Sequence, residues 1–184
     1  MSAPVESRRD HFEEVAPSLI EPLRRFLARR TDPATAEDVL AETLLVCWRR
    51  VDDLPEQPLP WAYGVARNCL RNAERSVRRE QRLTARIATV DPPPVSTPAT
   101  DASTDDAADD ELAIALASLR PEDAELLRLW AWEQLTPAEI AIVLGVTANA
   151  ASIRLHRARQ RLRSRLRKSE AASGHEGSRE GRQP

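Results

Sequence analysis

At 184 residues the chain holds one domain or two small ones, with enough apolar residues for real cores. Two cysteines, Cys47 and Cys69, without CxxC or Cys/His spacing argue against a metal site and for buried structural thiols. No stretch approaches a membrane span, and MSAPVESRRDHFEEV lacks the apolar core of a signal peptide, so a soluble, cytoplasmic protein without membrane insertion is expected.

Strand signals are nearly absent, and helical periodicity carries the chain. Phe12, Val15, Leu19, Leu23 and Phe26 recur at threes and fours and predict a first helix over about His11 to Arg30. Pro17 and Pro22 interrupt it, which predicts a kink or two shorter helices. TDPATAED predicts a turn and a helix start with Thr35 as N-cap. The next helix, about Ala36 to Val51, sets Val39, Leu40, Thr43, Leu44 and Cys47 on one face. DDLPEQPLP is a proline-broken loop. A third helix, about Trp61 to Arg82, is expected to bury Trp61, Val65, Cys69, Ala73 and Val77, with a solvated basic end, ERSVRREQR.

DPPPVSTPATDASTDDAADD has no apolar periodicity and cannot bury enough surface to offset its ordering entropy, which predicts a flexible acidic linker. A second helical unit follows, with helices over Leu112 to Leu119 and Ala124 to Trp132, and Pro121 suited to a helix start. Thr136-Pro137-Ala138-Glu139 is a capping box: an N-cap, a proline at the first helical position and a glutamate at N3. Gly145 suits the left-handed end of that helix. Thr147 caps the last one, which is expected to run to about Arg167, with 169–184 disordered. The fold class is therefore all-α: two small helical domains on a flexible acidic linker, the second a four-helix unit containing a helix-turn-helix.

The formal charge of −2 hides a polarised chain. Residues 87–110 carry no base and six acids, whereas 151–168 carry eight bases and no acid. Such asymmetry points to a polyanionic partner for one face. On the last helix Ala151, Leu155, Ala158, Leu162 and Leu166 form the core side, while Asn149, Ser152, Ile153, His156, Arg157 and Gln160 point away. A helix of that kind fits the major groove, with N-terminal residues at base edges and flanking arginines on phosphates. A solvated face complementing the helix dipole accounts for one or two of the charges, not eight. His156 is read both as a DNA contact and as a plain exposed polar residue.

This layout resembles the extracytoplasmic-function group of bacterial RNA polymerase sigma factors, in the sigma-70 family. The likeness covers about residues 10–167 and rests on AEDVLAETLLVCWRR (36–50), PWAYGVARNCLRNAERSVRRE (60–80) and the helix-turn-helix, in that order around an acidic linker. It implies a region 2-like domain over 8–86 that binds core polymerase and reads and melts the −10 element. It further implies a linker over 87–110, a region 4-like domain over 111–168 that reads the −35 element, and a tail over 169–184.

By the same resemblance, Asp38, Glu42, Leu45 and Trp48 contact the clamp of the largest polymerase subunit. Trp61, Arg67, Asn68, Arg71, Asn72 and Arg75 serve −10 recognition and melting, Asn68 lining a pocket for a flipped base that DDLPEQPLP helps to shape. Trp61 is read as core before base-stacking platform. Thr147, Asn149, Ser152, Ile153, Arg154, His156, Arg157 and Arg159 serve the −35 element. Partners implied are core RNA polymerase, promoter DNA and an anti-sigma factor, with no cofactor. The chain departs from the family at Ala41, where glutamine is usual, and at Ala151, Ser152 and Ile153. Serine cannot grip guanine with two bonds as arginine does, so −35 specificity is expected to shift.

Two rivals stay open: a stand-alone helix-turn-helix regulator of the LuxR-like kind, which leaves 36–80 unexplained, and a sigma-like decoy that titrates an anti-sigma factor. Enzyme function has no nucleophile–base pairing, phosphate-cradling glycine loop or metal set behind it, and the three histidines stand far apart in sequence.

Overall fold

The computed structural model describes residues 5–87, 112 and 114–176, with side chains over 6–82, 112 and 114–167. Its helices are α1 (Val5–Ala28), α2 (Pro33–Arg49), α3 (Pro58–Ile87), α4 (Pro121–Ala131), α5 (Pro137–Leu144) and α6 (Ala148–Glu176), with a 3-10 turn at Val51–Asp53 and a short helical segment at 114–117. No strand occurs among the described residues. They divide into two compact units. The first holds α1, α2 and α3 together with Ile142–Gly145; the second holds the segment at 114–117, α4, the first residues of α5, and α6. Apart from Ile87, the expected linker lies outside the described residues.

In the first unit all three helices pack pairwise. Leu19, Leu23 and Phe26 of α1 and Val39, Thr43 and Cys47 of α2 are buried, in the phase that the apolar repeats predict. The Thr43 hydroxyl donates to the Val39 carbonyl at 2.7 Å, which satisfies it inside the core. Phe26 stacks on Tyr63 of α3 at 5.0 Å between ring centres.

Four expectations are corrected here. Of the two alternatives at the prolines, that of two shorter helices is overturned: α1 runs as one helix through Pro17 and Pro22. The carbonyls they leave without a helical donor belong to Glu13 and Ser18, both on the solvent side, where water can serve. The N-cap of α2 is Asp32, not Thr35: its carboxylate accepts from the Thr35 N–H at 3.0 Å, with Pro33 opening the helix. Hydrogen bonding from the Thr35 side chain, and after it from the Thr35 N–H, holds the Asp32 carboxyl below its ordinary value.

The third correction is the phase of α3. Its buried residues are Pro60, Ala62, Tyr63, Ala66, Cys69 and Leu70, of which Cys69 alone was expected, whereas Trp61, Val65 and Ala73 are half-buried and Val77 is 51% exposed. The pattern of larger residues pointed one position away, because the contact face uses alanines that admit close helix approach. Finally, α6 continues to Glu176, into the segment expected to be disordered; 177–184 lie outside the described residues.

In the second unit α4 packs on α6. Leu126, Leu127 and Leu129 are buried on α4, and Ala151, Leu155 and Ala158 on α6. Pro121 opens α4 as expected. Between α4 and α5 the chain reverses through Gln134, a non-glycine at φ 55°. The Leu135 N–H then donates to the Leu129 carbonyl at 3.1 Å.

Candidate nucleic-acid interface

The α5–α6 pair owes its geometry to two local devices. Thr136 N–H donates to Glu139 Oε2 at 2.7 Å, and Glu139 N–H donates to Thr136 Oγ1 at 3.3 Å, the reciprocal capping box that the tetrapeptide predicts. At the other end of α5, Gly145 adopts φ 65°. There Val146 N–H donates to the Ala141 carbonyl at 3.0 Å and Gly145 N–H to the Ile142 carbonyl at 3.3 Å. That bond pair is a Schellman motif, which a side chain at 145 would strain. Thr147 Oγ1 then accepts from Ala150 N–H at 3.2 Å and starts α6. The chain turns through 105° between α5 and α6, the crossing of a helix-turn-helix pair.

With Ala151, Leu155 and Ala158 buried, α6 presents Asn149, Ser152, Ile153, Arg154, His156 and Arg157 to solvent, together with Thr147 at its cap. Ile153 is 44% exposed, an apolar side chain in the middle of a polar edge. Among the described residues, two of the late arginines are used internally. The Arg159 guanidinium sits over the Trp130 ring, 4.5 Å from its centre. Arg161 pairs with Asp123, a carboxylate only 8% exposed that would be costly to bury alone. Arg159, expected on the DNA side, is therefore half-buried and held by an aromatic neighbour.

On the first unit, Asp38, Glu42 and Leu45 lie on the exposed side of α2, Leu45 being 46% exposed. Spacings of four and three put them along one line of the helix. Trp48 differs. It is half-buried, edge-on to Phe12 at 5.5 Å, with the Arg8 guanidinium 5.7 Å from its ring centre. Arg8 also pairs with Asp52 at 3.0 Å. Trp48 thus ties the start of α1 to the end of α2.

On α3, Asn68, Arg71, Asn72 and Arg75 form an exposed stripe, and Arg67 is half-buried. Between α2 and α3 lies a depression of about 340 Å³. Glu42 and Val46 line it from α2, Arg50 from the C-cap of that helix, and Trp61, Val65, Asn68, Cys69 and Asn72 from α3. Glu42, read from sequence as a polymerase contact, therefore shares a concavity with Trp61, Asn68 and Asn72, read as DNA contacts. Arg67, Arg71 and Arg75 do not line it, nor does any residue of 52–60, so the proline-broken loop does not wall this depression. Of its other lining residues, Val65 and Cys69 were expected as core and Val46 and Arg50 were not singled out, because only the packing of α2 on α3 brings them together.

Burial raises both thiols, Cys47 to about 11, and Cys69 is raised further by the Glu42 carboxylate. Both are free and stay protonated at neutral pH, as structural thiols would. No group of three metal-ligating side chains occurs among the described residues, and no single helix among them is long and apolar enough to cross a membrane.

Comparison with known proteins bears on both units. The family described as sigma-70, region 4 matches residues 110–162. The chain is 33% identical over 148 residues to the ECF RNA polymerase sigma factor SigL of Mycobacterium tuberculosis, covering 78% of this chain and 82% of the relative. It is 32% identical over 145 residues to the probable RNA polymerase sigma factor RfaY of Xanthomonas campestris, of which it spans 36%. Among solved structures, the sigma factor RpoE of Bartonella quintana, crystallised with the anti-sigma factor NepR, aligns with a TM-score of 0.59 at 22% identity. That alignment covers 86% of this chain and 98% of RpoE, a likeness of fold.

Proposed function

Because the chain belongs to the extracytoplasmic-function group of RNA polymerase sigma factors, we propose that its two helical units divide promoter recognition between them. The chain binds core RNA polymerase in the cytoplasm and directs it to promoters; it contributes binding energy and no catalytic group. The second unit, region 4-like over 111–168, reads the −35 element through the exposed edge of α6. Thr147, Asn149, Ser152, Ile153, Arg154 and His156 are assigned to the groove and Arg157 to its phosphate walls, whereas Arg159 is held on Trp130. The observation that carries this reading is the region 4 match falling on a capped helix pair crossed at 105° with a polar outer edge.

The first unit, region 2-like over 8–86, takes the polymerase clamp on Asp38, Glu42, Leu45 and Trp48. It takes the −10 element on Trp61, Arg67, Asn68, Arg71, Asn72 and Arg75. The depression beside Asn68 has amide groups and an indole at its rim, the chemistry that holds an unstacked base. An anti-sigma factor is a further partner, suggested by the company that the Bartonella protein keeps.

The test is reconstitution. Transcript start sites mapped after overexpression supply the promoters; purified chain and core polymerase must then initiate from them. Initiation with core enzyme supports the reading. Failure to associate with core in a pull-down without inhibitor sinks it.

A further inference from the structure

A cavity of about 550 Å³ opens on the second unit, away from the base-reading residues of α6. Arg157, Arg161 and Arg165 line it from successive turns of α6, and Arg120 lines it from the entry to α4. Spacings of four keep the three helical arginines on one flank. The single carboxylate of the lining, Asp123, is buried and held by Arg161. Arg120, Arg157 and Arg165 are exposed and face the same concavity without another acid in the lining. Three like charges gathered in one hollow repel each other and focus a positive field that an anion relieves. Guanidinium forks match phosphate oxygens two at a time. The hydroxyls of Ser118 and Ser164 are already committed to the carbonyls of Ala115 and Gln160, so the recognition rests on charge.

We propose that this cleft is a phosphate-binding site, distinct from the base-reading edge. Its ligand chemistry is the phosphate oxyanion, carried either by the backbone of the duplex or by a free polyphosphate. The duplex is the source that the geometry favours, because Arg157 belongs to both the exposed edge and the cleft wall. A strand tracking the edge then continues toward Arg165 and Arg120. That choice of source rests on the reading of α6 as the −35 helix.

The experiment uses holoenzyme assembled from the full chain and core polymerase, with the double variant Arg120→Gln/Arg165→Gln. Both positions are exposed, and the Asp123–Arg161 pair is left intact. Affinity is measured against salt on a promoter duplex and on one with a scrambled −35 element. Inorganic tripolyphosphate is titrated into the free chain. The expected result is an equal fold-loss on both duplexes and a salt slope shallower by about 1–2 units. The variant Arg163→Gln/Arg167→Gln removes the same charge outside the cleft and should change the slope less. Loss of tripolyphosphate binding with unchanged duplex binding assigns the site to a free polyphosphate. No change with either probe, an equal effect of the outside pair, or a loss confined to the native −35 sequence overturns the proposal. A wild-type holoenzyme blind to scrambling of the −35 element would instead refute the reading of α6 and leave the cleft to be judged by its slope.

Discussion

The first unit offers its polar residues around a hollow, and the second projects them from a ridge. Along α3, Asn68 and Asn72 stand at the rim of a depression shared with α2, with Arg71 and Arg75 on the open stripe beside them. Along α6, the outward residues belong to a convex helix face set at 105° to its neighbour. The contrast matches the two substrates that the proposed function assigns to these units. An unpaired base must be enclosed and stacked, whereas an intact duplex needs only a helix narrow enough to enter its groove. The cores differ as well: aromatic contact joins α1 to α3, while α4 and α6 meet through leucine and alanine.

The largest effect should come from the aromatic core. Phe26→Ala empties a fully buried position against Tyr63 and is expected to cost about 3–5 kcal/mol, read by chemical denaturation. A cost near zero would mean that α1 and α3 do not depend on this contact.

The next pair separates hollow from ridge. Asn68→Ala should slow open-complex formation about tenfold, the loss of roughly one hydrogen bond, while core polymerase binding stays as in wild type. Arg157→Ala should leave melting alone, weaken promoter binding and flatten its salt dependence by about 0.9. If the two variants exchange these phenotypes, the division of labour is reversed.

Smaller effects test the local devices of the ridge. Thr136→Ala removes half of the capping box and should cost about 1 kcal/mol of the second unit's stability. Gln134→Gly relieves a left-handed backbone in a residue with a Cβ; the gain should stay below about 1 kcal/mol, since glycine also raises the entropy of the unfolded chain. A loss at this position would show that the Gln134 side chain makes a contact worth more than the strain.

Much of the ridge was legible in sequence. The capping box, the Gly145 turn, the Thr147 cap and the buried line of Ala151, Leu155 and Ala158 appear where the residues predict them. Each depends on groups within a few residues of one another. The hollow was less legible. The phase of α3 was missed because Ala62 and Ala66 give a weak apolar signal while making the contact, and Val77 gives a strong one beyond the bundle.

Sequence alone therefore settled the starts and caps of α5 and α6, the excess positive charge of α6 and the likeness to a family. Those properties reside in short-range hydrogen bonding and in composition. Tertiary structure decided which arginines keep their charge for a partner. Asp123 and Arg161 stand 38 residues apart, and Arg159 reaches across to Trp130. It also decided that Glu42 joins Asn68 around one depression. Such meetings depend on how helices distant in sequence are brought side by side, and no local pattern encodes that distance.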